Sequence, residues 1–260
     1  MMLLLKVFDC GSSIGHQEAM LCIGALAHAT GSEFVRYMPI FYKYMDMGLQ
    51  NFEVFQVCAA SIEVVGDICY ALDDKILPFC DGIMSHLFNG LSSGVIHCSL
   101  TPLILSCFGD IGFSIGEHFE KYLPNAMLMI QEASEICAKM DNDNEQMMNN
   151  NFQLRRGIFD AYSGILRGLK NSKPELMLPH AGHLLQFIEF VFRDKTREES
   201  VSKAAVAAMG DLAYTLGPKL KILFKDRAFH AEFLTESLDS DDYKMKEITA
   251  WTQRMIKRVF

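Results

Sequence analysis

The segment Glu53-Val54-Phe55-Gln56-Val57-Cys58-Ala59-Ala60-Ser61-Ile62-Glu63-Val64-Val65-Gly66-Asp67-Ile68-Cys69-Tyr70-Ala71-Leu72 decides the fold. Val54, Cys58, Ile62, Val65, Cys69 and Leu72 recur at steps of three or four, which lines one face of an α-helix with apolar side chains. Gln56, Glu63, Asp67 and Tyr70 fall within an arc of about 60° on a polar stripe opposite. Outward from this helix, its central glycine recurs. Gly24, Gly66, Gly109, Gly164 and Gly210 each sit in an apolar stretch, at steps of 42, 43, 55 and 46 residues. A large aliphatic followed by proline returns as well, at Met38-Pro39, Leu77-Pro78, Leu123-Pro124 and Leu178-Pro179, with prolines 39, 46 and 55 apart. The longest step of both series brackets the polar run Met140-Asp141-Asn142-Asp143-Asn144-Glu145, which reads as an enlarged loop inside one unit. Two independent markers in one register define a structural repeat.

Each unit is a helix carrying proline, a short turn and a second helix carrying glycine. Second helices are expected near 15–30, 53–72, 96–116, 146–171, 198–217 and 241–259, and first helices near 1–10, 32–50, 75–92, 117–138, 173–195 and 218–238. Strand-like alternation is sustained nowhere. A two-helix unit of 40–47 residues is the HEAT/armadillo signature, and proline in the first helix favours HEAT because it bends that helix. The expected fold is all-α, a right-handed superhelical solenoid of five to six helix pairs, with the second helices lining the concave side. One array would run over 1–260, in units of about 1–31, 32–73, 74–116, 117–171, 172–217 and 218–260. The apolar start, Met1-Met2-Leu3-Leu4-Leu5-Lys6-Val7-Phe8, is too short to span a bilayer and lacks a basic region and cleavage site. It reads as the remnant of a helix in a truncated first unit, so no membrane partner is expected.

The charge balance narrows the partners. Lys and Arg total 24 against 32 Asp and Glu, a net charge of −8 that argues against nucleic acid, which selects a basic face. Residues 1–172 hold 10 basic and 19 acidic side chains, so a basic partner should prefer the first two thirds. None of the eight cysteines stand at metal-knuckle spacing, and most lie in apolar runs, as expected of buried reduced thiols in an intracellular protein. Enzyme signals do not assemble. Gly90-Leu91-Ser92-Ser93-Gly94 matches the nucleophile-elbow pattern, but that chemistry needs a strand feeding the serine, and none is expected here. His180 and His183 could face one metal at i, i+3, yet no third ligand stands nearby. Gly109, Gly112 and Gly116 do not form a dinucleotide fingerprint. They read as close helix contacts, with Gly116 as a stop. No enzymatic activity, metal or cofactor is expected.

Asp67, Asp110 and Asp211 each follow a marker glycine directly. Asp110 shares its face with Ser99, Ser106, Ser114 and Glu117, as Asp67 does with Glu63, so stacking should align the carboxylates into an acidic ladder. Such a ladder is either a docking groove for a basic extended or helical segment, or a solvated face with turn caps. Recurrence in register favours the groove for the set. Trp251, the only tryptophan, lies in the last helix with Arg254, Lys257 and Arg258 beyond it. It is either a stacking platform for a partner's side chain or the apolar cap of a terminal unit.

Particular stretches resemble the importin beta family of nuclear import receptors. They are Tyr37-Met38-Pro39-Ile40-Phe41-Tyr42-Lys43-Tyr44-Met45, Gly48-Leu49-Gln50-Asn51-Phe52, Val64-Val65-Gly66-Asp67-Ile68-Cys69 and Lys75-Ile76-Leu77-Pro78-Phe79-Cys80-Asp81-Gly82-Ile83-Met84. Ser106-Cys107-Phe108-Gly109-Asp110-Ile111, Ala161-Tyr162-Ser163-Gly164-Ile165 and the closing helix with Trp251 add to them. The resemblance covers almost the whole chain, is plant-like in wording, and corresponds to the C-terminal third of the family. Departures stand at Gly11-Ser12-Ser13-Ile14-Gly15 and in the Asn-rich insert at 142–151. The resemblance implies protein import through the nuclear pore, between cytoplasm and nucleus. It also implies a grip on the arginine-rich helix of the importin-alpha adaptor by Asp67, Asp110, Asp211 and Trp251, with Glu63 as a further candidate. Binding of Ran and of phenylalanine-glycine nucleoporins is implied for the whole receptor. The competing readings are a scaffold that assembles other proteins through its convex face without a transport role, and a truncated paralogue without function.

Overall fold

The computed structural model describes residues 1–10, 12–94, 96–140, 144–225 and 227–260. The middle of the polar run at 140–145, and the first residues of the Gly11 and 142–151 departures, lie outside the described residues.

The helices follow the markers. They run α1 Met2–Leu5, α2 Ser13–Thr30, α3 Met38–Leu49, α4 Phe55–Leu72, α5 Cys80–Ser92, α6 Leu100–Ile115 and α7 Leu123–Lys139. α8 Glu145–Leu169, α9 Leu178–Arg193, α10 Glu199–Leu216, α11 Lys221–Lys225, α12 Phe229–Leu238 and α13 Tyr243–Lys257 complete the chain. Among the described residues there is no strand. The decisive segment is α4, whose apolar face buries Cys58, Ile62, Val65, Cys69 and Leu72 at 2% exposure or less. The core continues from unit to unit as one cluster, running from Leu5 through Phe41, Phe108, Tyr162 and Ile188 to Val259. This is an all-α solenoid.

Proline acts differently from the expected bend. Pro39, Pro124 and Pro179 occupy the first turn of α3, α7 and α9, and a 3-10 segment precedes each of these helices. The first turn has no intrahelical acceptor for its N–H groups, so a residue lacking that donor costs nothing there. Each first helix is thus a 3-10 lead-in that widens to α at the proline. Pro78 instead lies inside the 3-10 segment Asp73–Phe79 before α5. Pro218 stands in the 3-10 segment Gly217–Leu220, after which the last first-layer element is broken into α11 and α12.

Between the two helices of a unit and the next, the chain turns through one recurring conformation. Gly31, Gly116 and Gly217 cap α2, α6 and α10 at φ of 54°, 53° and 51°. Asp73 takes the same place after α4 at φ 54° and ψ −133°, a region that glycine occupies without a Cβ penalty.

The second helices α2, α4, α6, α8, α10 and α13 pack directly on one another, far more closely than α3, α5, α7 and α9 do. In a curved double layer the closer row is the inner one, so these helices form the concave wall. Their approach is closest between α6 and α8. A methyl group placed on Gly164 would lie 2.3 Å from the Gly109 carbonyl oxygen, and one on Gly168 would lie 2.0 Å from that of Gly112. Main chain meets main chain here with no side chain between.

Candidate functional site: an acidic ladder on the concave wall

The marker glycines and the aspartates that follow them are two halves of one device. A methyl on Gly24 would lie 2.0 Å from Asp67 Oδ2, and one on Gly66 would lie 2.8 Å from Asp110 Oδ2. The bare backbone at Gly24 and at Gly66 is a notch that receives the carboxylate of the following unit. This is why glycine and aspartate recur together, and it places the carboxylates in a row across α4 and α6.

The rungs differ in setting. Asp67 is one-third exposed and accepts from or shares a proton with His28 Nε2 at 2.7 Å, while His28 also leans on the Tyr70 ring at 5.1 Å between centroids. Glu63, one turn earlier on α4, is exposed, and partial burial together with the Asp67 charge raises its pKa. Asp110 is crowded by the groove wall although water reaches its tip. That crowding, then the charges of Asp160 and Asp67, pushes its carboxyl up to about 6. Asp211 is 8% exposed. Burial pushes it up to about 6 as well, against the pull of the Arg167 charge and a hydrogen bond from Ser163. Asp211 is therefore an inward carboxyl tied to α8, unlike the open Asp67 and Asp110.

Asp160 is the carboxylate the sequence reading passed over. It lies on α8, its pKa raised by burial and held back by Arg156 and the Ser106 hydroxyl of α6. Its charge reaches Asp110, so the continuous ladder is Glu63, Asp67, Asp110 and Asp160. Asp160 does not follow a marker glycine but stands four residues before Gly164, on the next turn of the same helix. Ser114, expected on the polar face, is 8% exposed and donates to the Cys69 carbonyl at 3.0 Å, tying α6 to α4.

Trp251 occupies the notch at Gly210, the counterpart of those that aspartates fill at Gly24 and Gly66. A methyl on Gly210 would lie 2.2 Å from its Cζ3. The indole is half-buried against the core, and its outer edge meets the Tyr214 ring at 6.2 Å and 71°. It both closes the last interface and offers a partly open aromatic face.

The enzyme-like motifs resolve into structural parts. Ser92 is the last residue of α5. His183 bridges Ser134 at 2.9 Å and Tyr162 Oη at 2.8 Å, and His180 lies 3.5 Å from Gln131. Burial lowers both histidine pKa values. Among the described residues no group of three metal-ligating side chains converges.

An all-α array of helix pairs with a row of carboxylates on its inner wall defines the class: a helical-repeat solenoid protein. The comparisons narrow that class. The family model described as importin subunit beta-1-like, TPR repeats, matches residues 1–238, and the chain belongs to that family. It is similar to importin subunit beta-1 of Arabidopsis thaliana, 49% identical over 257 residues, covering 98% of this chain and 30% of the relative. It is also similar to a crystal structure of importin beta in a polyethylene glycol condition, at 29% identity and a TM-score of 0.93, covering 99% of this chain and 32% of that one. Two complexes of yeast importin beta, Kap95 with Nup1 and Kap95p with RanGDP, match at 25% identity with TM-scores of 0.87 and 0.84. Each match covers 99% of this chain and 30% of the other. The chain thus spans about 30% of the length of the curated relatives it matches.

Proposed function

We propose that this chain is the cargo-adaptor-gripping part of a nuclear import receptor, one continuous array whose concave wall holds the basic helical segment of an importin-alpha-type adaptor. The observation that carries this reading is the row Glu63, Asp67, Asp110 and Asp160: glycine notches of α2 and α4 seat Asp67 and Asp110, the Asp67 charge helps raise the Glu63 pKa, and the Asp160 and Asp67 charges help raise that of Asp110. Carboxylates held within each other's field gain when an arriving partner supplies positive charge. Trp251 completes the site at its far end by offering its ring edge, and Asp211 stands buried behind the wall within the field of Arg167. Family membership supports import as the process, with traffic between cytoplasm and nucleus and passage along the pore. The yeast relative's complexes with Nup1 and RanGDP support nucleoporin and Ran as further partners of the whole receptor. The protein acts by binding rather than by catalysis.

The test is a titration of a fluorescent arginine-rich adaptor helix at two salt concentrations. Each exposed pair is worth roughly 0.2–1 kcal/mol, so joint Asp67→Asn and Asp110→Asn substitution should weaken binding about ten-fold. Tripling the salt should weaken the unaltered protein as well. Binding that ignores both salt and the double substitution would refute the groove, and would favour a scaffold acting through its outer face.

A further inference from the structure

Beyond Asp160 the sign of the inner wall reverses. Arg167 lies seven residues further along α8 on the same face, about 10 Å down the helix. The last aspartate of the series, Asp211, is buried against Arg167 and Ser163 and presents no charge to the groove. What faces outward at this end are cations seated on aromatic rings. Arg167 lies 4.6 Å from the Phe113 ring centroid, and Lys170 Nζ lies 3.2 Å from that of Tyr214. The Tyr214 hydroxyl also hydrogen-bonds Lys170 and feels the charge of Arg258 at the end of α13.

These cations differ from those at the repeat interfaces. There, Lys121 pairs with Asp81, Arg155 with Asp194, Arg193 with Glu232 and Lys203 with Asp242, each across about one repeat. Among the described residues, no carboxylate stands within ion-pair distance of Arg167, Lys170 or Arg258. An aromatic face fixes the direction of a cation without neutralising it, so Arg167 and Lys170 are ordered and their charge is left for an incoming anion.

We propose that this rim, at the C-terminal ends of α8, α10 and α13, receives an acidic stretch of the same partner polypeptide whose basic segment fills the carboxylate ladder. The inference rests on the groove reading above and adds a polarity to it: the partner is bipolar, a basic helix continued by carboxylates. Arg167 and Arg258 can each take a carboxylate in a charge-assisted pair, and Lys170 adds a third donor. Because both charge signs must match in order, the rim fixes which way the partner lies and rejects purely basic segments in the reversed direction.

The experiment compares four labelled peptides: the basic helix alone, the same helix with six glutamates appended at its C-terminus or at its N-terminus, and the acidic stretch alone. One of the two extended peptides should bind about three- to ten-fold tighter than the plain helix, as two or three exposed pairs would give. The joint Lys170→Glu and Arg258→Glu variant should abolish that gain without weakening the plain helix. Lys170→Gln with Arg258→Gln should give an intermediate loss, and circular dichroism would verify the helical fold of both. If the plain helix binds and neither extension helps, the rim proposal is overturned while the groove stands. If the plain helix fails but the acidic peptide binds in a Lys170- and Arg258-dependent manner, the groove reading falls and the bipolar partner with it, leaving the rim a site for an anion alone. Absence of all binding overturns both.

Discussion

Asp110 carries the pH behaviour of the site. Its carboxyl is pushed up to about 6 by crowding and by Asp160 and Asp67, with Ser106 and Arg156 acting on Asp160 rather than on it. A cationic partner favours the ionised form, so binding should release a proton, and affinity should fall as pH drops through about 6. Folding runs the other way. A folded pKa above the ordinary carboxylate value means the native state holds the proton more tightly, so this group's contribution to stability declines as pH rises from about 4 to about 6. Peptide titrations from pH 5 to 8 should show affinity rising with pH in the native protein and a shallower rise in Asp110→Asn. Identical profiles would mean that Asp110 does not meet the partner.

At the scale of elements, the sharpest departure from sequence preference is Asp73. Three equivalent caps use glycine, while Asp73 holds the same positive φ with a Cβ. Residues in such regions carry about 1–3 kcal/mol of strain, so Asp73→Gly should raise stability by about 1 kcal/mol after the added chain entropy is offset. Urea denaturation would read this directly, and a loss on substitution would show that the Asp73 side chain does more for the fold than its backbone costs. The opposite sign is expected at Gly164. A methyl there meets the Gly109 main chain, which cannot swing aside, so Gly164→Ala should cost about 2–3 kcal/mol, at the upper end of overpacking. The helices and their pairing were legible because the apolar period and the two markers agree. The 3-10 lead-ins were not, since both helix types use the same residues and differ only in which carbonyl each N–H reaches. Asp67 and Asp110 were legible from their place beside a glycine. Asp160 was not, because its nearness to Asp110 arises from the close crossing of α6 and α8, which residue spacing along one helix does not encode.

The dense packing runs between neighbouring units, so the array's stability is close to a sum over neighbours. The interfaces are unequal. α6 and α8 meet backbone to backbone, whereas α11 and α12 form a broken layer beneath α13. Native-state hydrogen exchange should find the slowest amides in α6 and α8 and progressively faster ones toward α1 and α12, the profile of an array that opens from its ends. Uniform protection from end to end would mean that the units unfold as one.

The glycine-lined crossing of α6 and α8 also has a mechanical consequence. Two solenoid turns usually shear past each other on a layer of rotamers that reshuffle under load. Here that layer is missing, and the junction has nothing to slide on. A bend of the array should therefore be taken up by the joints on either side of this crossing, which lies under Asp110 and Asp160.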